Sequence, residues 1–141
     1  MKSINMWLNR LEENKFRDCI NCPIRVIVAI IDNGIHDDIR SFIENKIDNE
    51  LRHIVLWGDS ANALEDFLDT IIEDKGLYEI VTTAHRDDSA DDMAYFISKA
   101  IVECDDNFCF TLIFSEDSEK PDDFLSAIGR VDRIKLISCS R

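Results

Sequence analysis

The apolar positions of this chain switch regularly between two periods. Ile24 to Ile31 is an apolar run broken only by Arg25 and rich in β-branched residues, a pattern that predicts a strand buried on both faces. Asp32-Asn33-Gly34 interrupts it. Ile39, Phe42, Ile43 and Ile47 then recur at helical spacing, with Asp37, Asp38, Glu44 and Asp48 largely on the other side. His53 to Trp57 reads as a second strand, closed by Gly58. Ser60 stands where it could cap a helix built on Leu64, Phe67, Leu68, Ile71 and Ile72, and Gly76 is placed to end it.

The alternation continues. Tyr78 to Thr83 is the third predicted strand. Ser89-Ala90-Asp91-Asp92 resembles a capping box opening a helix whose buried face is Met93, Phe96, Ile97, Ala100 and Ile101. Phe108 to Phe114 is a fourth strand. Pro121 suits the first turn of a short helix that buries Phe124, Leu125 and Ile128, and Ile134 to Cys139 can close the sheet as a fifth strand. Strands separated by helices of this length imply parallel pairing through right-handed crossovers. The expected fold is therefore a single α/β domain over residues 1–141, a three-layer α/β/α sandwich with a mostly parallel four- to five-stranded sheet. Ile4, Trp7, Leu8 and Leu11 fall at helical spacing after Ser3. This predicts an extra N-terminal helix, an appendage over residues 1–17 that could also serve as a dimerisation surface.

Charge changes the picture more than composition does. The net charge is -13 on 141 residues, and it is uneven. Residues 87–123 hold twelve carboxylates against Lys99 and Lys120, so this stretch alone contributes -10. Such a field repels nucleic acid and anionic membrane, and attracts basic proteins or cations. No apolar run is long enough to span a bilayer, and charges interrupt the first ten residues, so a cytoplasmic protein is expected. Five cysteines, an odd number, fit reduced thiols in such a compartment.

Candidate chemistry is thin. In open parallel sheets ligands bind beyond the carboxyl ends of the strands. The polar residues expected there are Asp32 and Asn33, Gly58 to Ser60, Thr82, Thr83 and His85, and Ser115 and Glu116. Turn formation and helix capping already explain polar residues at those places. An alternative reading makes Asp32, Asp59 and Glu116 oxygen ligands for a divalent cation, with His85 as proton carrier. Glycine-rich phosphate loops and a Gly-x-Ser-x-Gly elbow are missing from the sequence. Thr82-Thr83-Ala84-His85 also lacks the acidic residue that a phosphoacceptor domain needs after its third strand. Cys19 and Cys22 have the spacing of half a zinc site, but Pro23 and a strand follow them where a redox motif would open a helix. No cofactor is implied, and the reading is non-enzymatic.

The length, the acidity, the strand–helix alternation and Thr82-Thr83-Ala84-His85-Arg86-Asp87-Asp88 leading into a helix together resemble small bacterial proteins. Some of these are similar to immunity proteins of contact-dependent inhibition and related toxin systems. That resemblance implies a protein that binds a cognate toxin in the cytoplasm and blocks its active site without chemistry of its own, and the acidic field adds that the partner is basic, such as a nuclease domain. The resemblance carries no site residues with it; the crowding of acids in residues 87–123 makes Asp91, Asp92, Glu116, Asp117, Asp122 and Asp123 the ones expected at the contact.

Overall fold

The structure of the protein, a computed structural model, describes residues 2–10, 25–101, 109–114, 119–131 and 134–139. Among the described residues, six strands and four helices occur in the order β1 (Lys2–Arg10), β2 (Val26–Ile30), α1 (Asp37–Lys46), β3 (His53–Trp57), α2 (Ala61–Lys75), β4 (Val81–His85), α3 (Ala90–Ala100), β5 (Cys109–Phe114), α4 (Lys120–Gly129) and β6 (Ile134–Cys139). All five strand pairings are parallel, in the order β4-β3-β2-β5-β1-β6. The expected α/β sandwich is therefore present, with a wider sheet than the alternation alone suggested.

The added width comes from the leading segment, which is a strand and not the predicted helix. Its sequence satisfies two periods at once. Ile4, Trp7 and Leu8 fit a helical stripe, while Ile4, Met6 and Leu8 alternate with Asn5, Trp7 and Asn9. Pairing decides between them: β1 lies between β5 and β6, with Asn5 opposite Cys109 and Lys2 opposite Ile134. Residues 2–10 thus present no helical face for a dimer, and residues 11–17 of the expected helix lie outside the described residues.

Each face of the sheet has its own core. Ile27, Ala29, Ile54, Leu56 and Ile113 pack beneath α1 and α2 through Ile39, Ile43, Leu64 and Leu68. Val26, Val28, Val55, Trp57 and Leu112 pack beneath α3 and α4 through Met93, Ile97, Phe124 and Ile128. β2 is buried at all five positions because both layers cover it, which is why its sequence does not alternate. Each buried Val, Leu or Ile side chain in these layers contributes about 1.5–3 kcal/mol by leaving water.

The order of connections positions the site. From β2 the chain steps outward to β3 and β4, with α1 and α2 on one face. It then returns across the sheet to β5 on the other side of β2, with α3 and α4 on the opposite face. The direction reverses between β2 and β5, and crevices open at the carboxyl edge beside such reversals.

Candidate functional site

The turns after β2 and β3 are tied together at that edge. Gly58 adopts φ +134°, and a Cβ there would stand 2.3 Å from the Ile31 carbonyl oxygen and 2.5 Å from Asp32 Oδ1, so only glycine fits. This closeness lets the Ser60 N–H donate to Ile31 O at 3.0 Å and the Asp59 N–H donate to Asp32 Oδ1 at 3.0 Å. In return, Asn33 N–H donates to Asp59 Oδ1 at 2.8 Å and Gly34 N–H to Ser60 Oγ at 2.8 Å. Ser60 Oγ donates to Asp59 Oδ1 at 2.8 Å. Ser60 thus tethers two turns and makes no side-chain cap to α2, contrary to the sequence expectation. The Ser60 hydroxyl first, and the Asn33 amide second, hold the Asp59 carboxyl below its ordinary range; Lys120 and Arg86 push in the same direction.

Lys120 completes the cluster from the other side of the reversal. It opens α4, and its Nζ lies 2.9 Å from Asp32 Oδ2 and 4.9 Å from the centre of the Trp57 ring. A cleft of about 310 Å³ sits beside these groups, lined in part by Ile30, Asp32, Asn33, Gly34, His36 and Ile39. Its chemistry is constrained by what is already engaged. The Asn33 and Gly34 amides, which would cradle a phosphate, are committed to Asp59 and Ser60. A divalent cation at Asp32 would have to displace the Lys120 ammonium.

His85 belongs to a different set. β4 begins and ends later than the sequence suggested, because Gly76 at φ +68° and the turn at Leu77–Ile80 use up Tyr78 and Glu79. Thr82, Thr83 and His85 are therefore strand residues. His85 Nδ1 is 2.8 Å from Asp88 Oδ2, its Nε2 is 3.0 Å from Thr83 Oγ1, and its ring lies 4.4 Å from that of Phe96. Trp57 Nε1 donates to Asp88 O at 2.8 Å, fixing the loop after β4. The structure thus brings Asp32 and Asp59 together, places His85 two strands from Asp32, and leaves Glu116 outside the described residues. Among the described residues no group of three or more His, Cys, Asp or Glu side chains could hold a metal ion.

The acids divide in a similar way. Each of the four helices follows a parallel strand, so each begins at the carboxyl edge. Asp37 and Asp38 stand in the first turn of α1, Asp91 and Asp92 in that of α3, and Asp122 and Asp123 in that of α4. The Ser89 hydroxyl accepts the Asp92 N–H at 3.1 Å, as the capping pattern predicted, while His36 Nδ1 caps α1 by accepting the Asp38 N–H at 3.2 Å. Asp91 is bound by Arg130 at 2.7 Å. Asp92, Asp122 and Asp123 are exposed and have no ion-pair partner among the described residues. Glu116 and Asp117, also expected at the contact, lie outside the described residues, as do Cys19, Cys22 and Cys104.

Sequence reasoning missed Lys120 and Trp57 as members of the edge. The available signal was a lone lysine directly before Pro121 in an acidic stretch, at the start of a helix. It also missed a second cleft of about 310 Å³ at the opposite end of the strands, where Arg52, Leu77, Tyr78 and Glu79 line the turns before β3 and β4.

No helix among the described residues is long and apolar enough to cross a membrane. No curated protein and no solved structure matches the chain. A family model does, over residues 10–129, which span every element from β2 to α4 and so include the carboxyl edge described above. The chain belongs to that family, a domain of unknown function designated DUF7684.

Proposed function

We propose that this protein is a non-enzymatic binding protein that neutralises a basic partner, most plainly a nuclease-type toxin domain, through the carboxyl edge of its sheet. The observation that carries the reading is convergence: three of the four helices among the described residues open on paired aspartates, and parallel topology brings all those openings to one edge. Asp92, Asp122 and Asp123 are the exposed members of this set without a described counter-charge. Acids in this position attract the Lys and Arg side chains that a nuclease uses for phosphate, and they speed encounter by electrostatic steering. The same edge commits Asp32, Asp59 and Ser60 to one another and to Lys120, which suits a rigid platform better than a reacting centre.

The test uses the full chain as immobilised bait in lysate of the cells that carry its gene. The expected result is a basic protein retained at low salt and released as salt rises, whose nuclease activity stops on adding an equimolar amount of this protein. A variant carrying Asp92→Lys, Asp122→Lys and Asp123→Lys should neither retain nor inhibit it. Undiminished retention by that variant, or a captured set without a basic protein, overturns the reading.

A further inference from the structure

β4 has a hydrogen-bonded neighbour on one side only, so it ends the sheet among the described residues. Its bonds to β3 fix which backbone groups turn outward. The Val81 N–H donates to Arg52 O at 2.9 Å, and His85 O accepts from the Gly58 N–H at 3.0 Å. Backbone groups alternate along a strand, so Val81, Thr83 and His85 turn theirs toward β3 while Thr82 and Ala84 turn theirs away. Two N–H and two C=O groups are thereby presented at the edge. Proteins blunt such edges with lysine, proline or a bulge. Val81–His85 contains neither lysine nor proline and pairs with β3 in unbroken register, whereas the strand at the other edge, β6, carries Lys135 in its sequence.

The side chains above and below the edge differ in kind. On one face, α2 sets Glu65, Asp69 and Glu73 at successive i, i+4 positions along the flank next to β4. The bond from Thr82 Oγ1 to Asp69 Oδ1, at 2.6 Å, fixes that flank against the strand. Partial burial raises the pKa of Glu65, and the neighbouring Asp69 and Asp66 raise it further. On the other face Val81 is 49% exposed, and Phe96 packs over His85 while remaining partly buried.

We propose that β4 accepts an extended basic segment as an added strand, whose alternate Lys or Arg side chains meet Glu65, Asp69 and Glu73 and whose intervening apolar side chains cover Val81 and Phe96. This rests on the reading of a basic partner and names the part of that partner that docks. The spacings agree: four helical residues rise about 6.0 Å and two strand residues about 6.6–6.8 Å, so the rows drift by less than about 1 Å per step, within reach of a flexible lysine. A second copy of this chain fits worse. A two-fold axis through paired β4 strands would set one acidic row of α2 against the other.

The probe is a fluorescein-labelled peptide, Lys-Val-Lys-Thr-Lys-Val-Lys-Thr-Lys, compared with a peptide of the same composition whose lysines are contiguous. Fluorescence anisotropy at low salt should show the alternating peptide binding about tenfold tighter or more, and Glu65→Gln with Glu73→Gln should weaken it several-fold. Hydrogen exchange at the Thr82 and Ala84 amides should slow on binding, a readout that depends on no variant folding. Equal affinity for the two peptides, or no protection at those amides, overturns the proposal. So does a dimer of the protein alone with both amides already protected. If the peptide fails while Asp92, Asp122 and Asp123 reversal still abolishes capture of a basic partner, only the added strand is lost. If the peptide binds but no basic partner is captured, the neutralising function is the part that falls.

Discussion

Replacing Gly58 by alanine tests the geometry on which the carboxyl edge depends. The new methyl group would meet the Ile31 carbonyl oxygen at 2.3 Å and Asp32 Oδ1 at 2.5 Å. The first of these neighbours is backbone of the residue that follows a fully buried strand, so it has little room to yield. Two costs combine. A non-glycine residue held at φ +134° loses about 1–3 kcal/mol to backbone strain. Forcing a methyl into a filled space costs about 1–3 kcal/mol more. The expected loss is about 4 kcal/mol, a large fraction of the roughly 5–15 kcal/mol that keeps a domain of this kind folded.

Urea unfolding followed by circular dichroism reads this directly. With a slope of about 2 kcal/mol per molar, the midpoint should fall by about 2 M. Two other glycines serve as internal standards. A Cβ at Gly34 meets nothing within 4 Å, but φ is +97°, so alanine there should show strain alone, about 1–2 kcal/mol. Gly129 is equally open and has no positive φ, so its alanine variant should lie within about 1 kcal/mol of the parent. The reasoning is refuted if Gly58→Ala costs no more than Gly34→Ala, because the clash with the turn after β2 would then not exist.

Lys120→Met should remove the ion pair to Asp32 and the contact with the Trp57 ring, lowering stability by about 1 kcal/mol and the urea midpoint by about 0.5 M; an unchanged midpoint would show that the lysine is not seated there. The pH dependence should carry two opposite contributions. The Asp59 carboxyl is depressed below 3.8, so its stabilising contribution is present above that pH and is lost as pH falls through the folded value. Asp59→Asn should therefore flatten the acid limb of the stability profile. Glu65 is raised above 4.5, so its contribution is present below 4.5 and is lost as pH rises through the folded value. Glu65→Gln should accordingly gain stability relative to the parent at neutral pH, and a loss there would contradict the assignment.

Much of the fold was legible because burial on both faces leaves a distinctive mark. β2 and β3 announced themselves as short apolar runs, and α1, α2 and α3 as amphipathic stripes of the correct length. The errors fell where one segment satisfies two patterns. Residues 2–10 carry both a helical and an alternating set, and only pairing with β5 and β6, more than a hundred residues away along the chain, selects the strand. β4 starts later than the sequence predicts, because Tyr78 and Ile80 have the character of strand residues while Gly76 turns the chain and leaves Tyr78 76% exposed. The edge itself was readable as a set of polar positions but not as a network. Nothing in the spacing of Asp32, Asp59 and Lys120 reveals that reversal of strand order brings residues 88 positions apart to within 2.9 Å.

The acids of the carboxyl edge have two possible duties, and their physics separates them. An aspartate in the first turn of a helix gains roughly 0.3–1 kcal/mol from the positive end of the helix, within about one turn of its own carboxylate. That duty is local and needs no neighbour from another helix. It also does not explain the whole pattern, since α2 opens without an acidic first turn and is held by the Ser60–Asp59 turn instead. Attraction of a basic partner is collective, because it sums the fields of α1, α3 and α4 over the distance between their openings. Salt at physiological strength screens interactions beyond about 8 Å, while contacts inside one helical turn are screened far less. Raising the salt should therefore release a bound partner well before it unfolds the protein. If folding and binding instead weakened together, helix capping would be the sole duty of these aspartates.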